Sequence, residues 1–140
     1  LDTMNHIVDA SYSGPTVDVE VLPLDELLAN RTPFAMKIDV EGFEREVLSG
    51  GMQTLRAPTL QAIIIEVNDH RHRYGQTGKT ALELLRESGF ASYTYDARAR
   101  RITPSSEHSA YGNYVFVRDA ALVQERVSSA RTYRAGPWSI

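Results

Sequence analysis

The run Leu60-Gln61-Ala62-Ile63-Ile64-Ile65-Glu66-Val67 constrains this chain more than any other segment. Its length suits a strand, and its continuous Ile/Val character lacks the polar alternation of a half-solvated one. Such a strand belongs at the centre of a parallel sheet, covered on both faces. The covering layers have to come from helices on either side of it in sequence.

The flanking segments supply them. Residues 1–16 read as irregular, punctuated by Ser13-Gly14-Pro15. Val17-Asp18-Val19-Glu20-Val21 alternates strictly and predicts a half-exposed strand. Pro23 to Leu28 reads as a short helix, with Asp25 and Glu26 in the first turn where the helix dipole favours acids. Phe34 to Val40 reads as a strand, and Phe43 to Arg56 as a helix that Gly50-Gly51 can kink or break. Asn68 to Gly78 is a polar loop, and Thr80 with Glu83 forms a capping box that opens a helix ending at Gly89. Ser92–Tyr95 and Arg98–Ile102 predict strands paired across a turn, Tyr114–Val117 a last strand, Ala120–Ala130 a helix, and 131–140 a tail. Strand–helix alternation of this kind predicts an α/β fold with a mostly parallel sheet. The closing strands lack a long helix between them, so the last should run antiparallel, at or near an edge.

With 140 residues the chain can build one core. The absence of cysteine excludes disulfides, zinc-thiolate sites and thiol catalysis. The net charge of −3 gives no reason to expect nucleic acid as a partner. No apolar run approaches the roughly 20 residues of a membrane span, so a cytoplasmic protein without a membrane partner is expected. Charge is uneven: residues 1–60 hold 10 acids and 4 Lys/Arg, residues 61–140 hold 8 and 11. The acidic half suits a cation or a polar substrate better than a phosphate.

That half contains Lys37-Ile38-Asp39-Val40-Glu41-Gly42-Phe43-Glu44, a strand running into two carboxylates and a glycine. Ligands in open α/β sheets gather at the carboxyl ends of strands. Asp39 and Glu41 are two apart and share a face if the strand stays regular there. They can ligate magnesium, act as a general base or orient a hydroxyl. The structural alternative is that one caps the next helix while the other pairs with Lys37 or Arg45. Glu66, Asn68, Asp69 and His70 follow the neighbouring strand. If the two strands are adjacent and parallel, Glu66 and Asn68 face Asp39 across one crevice and form a substrate site. Asp39, Glu66 and Asn68 would then also be a candidate magnesium set, or simply a polar loop mouth. His70, in the basic cluster His70-Arg71-His72-Arg73, can accept a proton near neutrality, or the cluster is a solvated loop. Gly75 to Thr80 lacks the first glycine of a phosphate-binding loop and reads as an ordinary helix start.

The octapeptide, followed by Glu46-Val47-Leu48-Ser49-Gly50, resembles the signature of the FkbM-type S-adenosylmethionine-dependent methyltransferases. Val21-Leu22-Pro23-Leu24-Asp25-Glu26-Leu27 is similar to the family's lead-in, and the segments through Val117 fit as well, so the likeness spans roughly 17–118. It implies the second half of a Rossmann-like class I methyltransferase sheet over residues 17–130, with an antiparallel last strand. The glycine-rich cofactor loop that the family carries after its first strand does not occur in this sequence. The resemblance implies S-adenosylmethionine as cofactor and methyl transfer to a hydroxyl of a sugar, polyketide or similar small molecule. It places Asp39, Glu41 and His70 in catalytic roles and Glu66 and Asn68 with the substrate, with magnesium as an optional ion. Two other readings stand beside it: a non-enzymatic α/β interaction module working through an open sheet edge, with a homodimer as one form, and a metal-dependent hydrolase.

Overall fold

The computed structural model describes residues 7–8, 12–29, 31–67, 80–105, 112–136 and 138–139. Helix α1 (Leu24–Leu28) precedes strand β1 (Ala35–Ile38), followed by α2 (Glu44–Ser49) and α3 (Met52–Arg56). Then come β2 (Ala62–Val67), α4 (Ala81–Glu87), β3 (Ala91–Asp96), β4 (Arg101–Pro104), β5 (Gly112–Val117) and α5 (Ala120–Ser129). A small hairpin, β6 (Arg134–Ala135) and β7 (Trp138–Ser139), forms in the tail.

The main sheet has five strands in the order β1-β2-β5-β3-β4. The β1–β2 ladder is parallel, whereas β2–β5, β5–β3 and β3–β4 are antiparallel. The mixture corrects the mostly parallel sheet expected from the sequence. β1, β2 and β3 do run in one direction, but β5 is inserted between β2 and β3 and turns both neighbouring ladders antiparallel. The last long strand is thus antiparallel as anticipated, yet interior rather than at an edge. Its inward side explains the place: Tyr114 and Phe116 are buried among the core residues.

β2 lies inside the sheet between β1 and β5, one strand from the edge rather than at the centre, and its alternation separates two environments. Ile63 and Ile65 are fully buried beneath the helices, in a cluster with Ile38, Leu48, Leu55, Leu85 and Phe90. Ile64 points to the opposite face and remains 41% exposed. The strand is therefore covered on one face and bare at its middle on the other, which corrects the expectation of two covered faces. An unbroken Ile run cannot distinguish these cases, because both faces of such a strand are equally apolar.

The helix expected over Phe43–Arg56 breaks at Gly50-Gly51 into α2 and α3. The break admits α1. A Cβ on Gly51 would stand 2.7 Å from Leu24 Cδ2, and one on Gly50 3.3 Å from the Pro23 Cα. The Asp25 amide donates to the Gly50 carbonyl at 2.9 Å. Asp25 then reaches on to α3, where its carboxylate accepts from the Gln53 and Thr54 amides, both at 2.9 Å, and from Thr54 Oγ1 at 2.7 Å. α3 has no cap of its own at Gly51, so this distant carboxylate takes that part.

No strand forms over Val17–Val21. Val17, Val19 and Val21 are 84%, 70% and 63% exposed, and the segment has no ladder partner among the described residues. Alternation marks a capacity for pairing, and a strand exists only where a neighbour completes the hydrogen bonds. The capping box of α4 is present in both halves: Thr80 accepts from the Glu83 amide and Glu83 from the Thr80 amide. The predicted β3–β4 hairpin forms, with Arg98 in the turn rather than in β4.

Candidate functional site

β1 and β2 are adjacent and parallel, with Ile38 opposite Ile65. The residues that follow, Asp39 and Glu66, therefore leave the ladder side by side at the carboxyl edge. Lys37 pairs in register with Ile64 and shares its bare face. The Lys37 ammonium donates to Asp39 Oδ2, forming an exposed ion pair. That hydrogen bond raises the Lys37 pKa above the ordinary lysine value; slight desolvation opposes the rise, and the charges of Asp39 and Glu66 add to it. Lys37, Asp39 and Glu66 thus form one electrostatic group beside Ile64, and Glu66 is half-buried opposite Asn113 of β5.

The chain does not continue as a strand beyond Ile38. Val40 to Phe43 make a tight turn in which the Phe43 amide donates to the Val40 carbonyl at 3.1 Å. Both central residues have positive φ, 51° at Glu41 and 101° at Gly42. Positive φ at both central positions belongs to the type I′ class, which glycine adopts without strain and a residue with a Cβ adopts at a cost. Glu41 accordingly stands in the turn and is not placed on a common strand face with Asp39, because strand periodicity has already ended. Non-glycine residues held in the left-handed region tend to cluster at functional sites.

Glu44 opens α2 and is only 5% exposed. Its Oε1 accepts the Gly42 amide at 2.9 Å, so the carboxylate turns back onto the strand-end turn. Glu44 has no role in what the sequence alone suggests, where it is only part of the signature, and Lys37 figures there only as a pairing partner. A signal for Glu44 was present: it lies one helical repeat before Leu48, on the stripe that packs into the core.

Asn68 and His70, and with them the candidate magnesium set that includes Asn68, lie outside the described residues, as does the Gly75–Lys79 part of the loop. Among the described residues no group of three or more His, Cys, Asp or Glu is arranged to hold a metal ion. No described helix is long and apolar enough to cross a membrane.

A model of the methyltransferase FkbM domain matches residues 4–92. The match begins upstream of the segment that carried the likeness in the sequence and ends at the start of β3. No curated protein and no solved structure matched the chain. The matched span covers more than half of the 140 residues and includes α1, the glycine junction, the whole strand-end turn and β2. The chain therefore belongs to the FkbM methyltransferase domain family.

Proposed function

We propose that this chain serves an S-adenosylmethionine-dependent O-methyltransferase acting on a hydroxyl of a sugar, polyketide or similar small molecule. The observation that carries this reading is the meeting of Asp39 and Glu66 at the carboxyl ends of two adjacent parallel strands, within the FkbM domain match. Ligands of open α/β sheets bind at such edges. The donor chemistry fits: two carboxylates offset by one ammonium accept hydrogen bonds from hydroxyls and favour a positively charged ligand. The bound cofactor supplies an activated methyl group.

In this reading Asp39 and Glu66 accept hydrogen bonds from the acceptor hydroxyl and hold it in place. When the acceptor hydroxyl takes the methyl group that the cofactor would supply, its proton would pass to a carboxylate, for which we assign Asp39. Lys37 orients the Asp39 carboxylate through their hydrogen bond. Glu41 in the turn, with Asn68 and His70 in the sequence that follows β2, are the further substrate and proton-handling groups. Magnesium, where used, would draw on Asp39, Glu66 and Asn68.

Calorimetric titration of the full-length protein with S-adenosylmethionine, with and without magnesium, tests the reading. Saturable binding is the expected result, and no binding in either condition would sink it. Where binding holds, Asp39→Asn and Glu66→Gln should lower turnover while leaving cofactor affinity in place. Unchanged turnover in both variants would remove the assigned roles. The interaction-module reading has its own observation in the outer edge of β1, which no other strand among the described residues pairs. It predicts a dimer by sedimentation in a protein that ignores the cofactor.

A further inference from the structure

We infer that Glu44 is a positioning residue whose buried carboxylate locks the left-handed Glu41–Gly42 turn and thereby fixes where β1 delivers its acidic strand end. As a statement about the reaction it rests on the methyltransferase reading, because it gives the turn a purpose only if Asp39 and Glu41 serve a ligand.

Three buried polar side chains occur among the described residues: Glu44, Thr54 and Gln61. Two of them are accounted for by the fold. Thr54 donates its hydroxyl to Asp25. Gln61 donates to the Pro58 carbonyl and accepts from the Asp119 amide. Glu44 differs. Its Oε1 accepts the Gly42 amide, and its second oxygen has no partner among the described residues. A buried carboxylate with a single donor lowers stability. An apolar residue at this core-facing position of α2 would serve packing better, so packing does not explain the glutamate.

The turn does explain it. A chain leaving β1 has to reverse within Val40–Phe43, and Glu41 there takes a φ of 51°, which a side chain disfavours. The bond from the Phe43 amide to the Val40 carbonyl would close around other turn geometries as well. The Gly42 amide directed at Glu44 is specific to this one, because rotating the Glu41–Gly42 peptide points that N–H away from α2. Glu44 is held by the first turn of α2, whose Leu48 is fully buried. The core is thus connected through one rigid helix to the peptide after Glu41.

Magnetic resonance on the uniformly labelled chain tests this with three variants. Glu44→Gln keeps a carbonyl oxygen for the Gly42 amide and removes the buried charge. Glu44→Ala removes the acceptor. Glu44→Asp keeps the charge on a shorter arm and serves if the alanine variant does not fold. The expected result is that Glu44→Gln retains the three-bond coupling that reports positive φ at Glu41. Its Gly42 amide exchange stays near wild type, and its melting temperature does not fall. In Glu44→Ala or Glu44→Asp the Gly42 amide should lose protection by roughly tenfold or more, the scale of one hydrogen bond to a charged group, and the Glu41 coupling should change. A merely structural glutamate would lower the melting temperature in these variants and leave the Glu41 coupling alone. That outcome, or a glutamine variant as altered as the alanine one, overturns the inference. These readouts need no cofactor. A full-length wild-type protein that fails to bind S-adenosylmethionine refutes the methyltransferase reading, whereas an unmoved turn refutes this one.

Discussion

Asp25→Ala should cost this fold more than an exposed helical acid normally does. Asp25 lies in the first turn of α1, but its carboxylate works on α3, a segment far away in sequence. It accepts two backbone amides, from Gln53 and Thr54, and the Thr54 hydroxyl. Losing a side-chain acceptor at a helix start costs about 1–2 kcal/mol. Thr54 is buried, and leaving its hydroxyl without an acceptor adds about 1 kcal/mol. The sum is about 2–3 kcal/mol, a large part of the ~5–15 kcal/mol that holds a domain together. Urea unfolding reads it directly: with a slope of about 1–3 kcal/mol per molar, the midpoint should fall by roughly 1–2 M with the slope unchanged. Asp25→Asn retains one acceptor oxygen and should lose about half as much. A midpoint shift in Asp25→Ala equivalent to less than about 0.5 kcal/mol, the size of an ordinary surface substitution, would refute the clamp.

The same carboxylate makes a pH prediction. Burial pushes the Asp25 pKa up, but the hydrogen bonds from Thr54 and Gln53 together outweigh it and hold the carboxyl below the ordinary aspartate value of 3.8. The folded state therefore binds the proton less readily than the unfolded chain. The contribution is fully present above the unfolded pKa and disappears as pH falls through the lower folded value. Between neutral pH and pH 3, wild type should lose a share of stability that Asp25→Asn does not lose. Matched urea midpoints at the two pH values measure the difference.

Other substitutions probe separate joints. Arg118 donates to the Leu60 carbonyl at 3.0 Å and to the Leu55 carbonyl, and its guanidinium lies 4.3 Å from the centre of the Phe90 ring. Arg118→Met should cost about 2 kcal/mol by thermal melting, and Arg118→Lys should recover little of it because the fork geometry is lost. Thr80→Ala removes the capping box of α4 and should cost about 1 kcal/mol, again read by melting. Asp39→Asn removes the carboxylate charge and weakens the hydrogen bond that raises the Lys37 pKa, so a proton titration of Lys37 Nζ should move down toward the ordinary lysine value.

The elements that local chemistry determines were legible in the residues. Thr80 and Glu83 cap α4 as a capping box should, and Gly50-Gly51 breaks the helix where two glycines weaken it. Placement was less legible because it depends on partners. Val17–Val21 has the alternation of a strand and no ladder. The Ile63–Val67 run does not reveal that only one of its faces is covered. The insertion of β5 between β2 and β3 could not be read from the order of elements, which sets sequence neighbours but not sheet neighbours. For the site, the sequence reading required β1 and β2 to be adjacent and parallel, and they are. It could not foresee that Glu41 would turn out of the strand, because nothing in Asp39-Val40-Glu41 announces a positive φ; only Gly42 hints at it.

The way the strand end is built follows from these joints. Gly51 lets α1 approach, and Asp25 of α1 caps α3 from outside. α2, anchored by Leu48 in the core, presents Glu44 to the Gly42 amide. Along this path the stabilising contacts sit in the helices, and the destabilising ones, a left-handed Glu41 and a buried carboxylate, sit at the carboxyl edge of β1. A fold selected for stability alone would relax both, by placing glycine at position 41 and an apolar residue at position 44. Their coincidence just past the end of the strand that carries Lys37 and leads into Asp39 is the physical reason to look for the chemistry there.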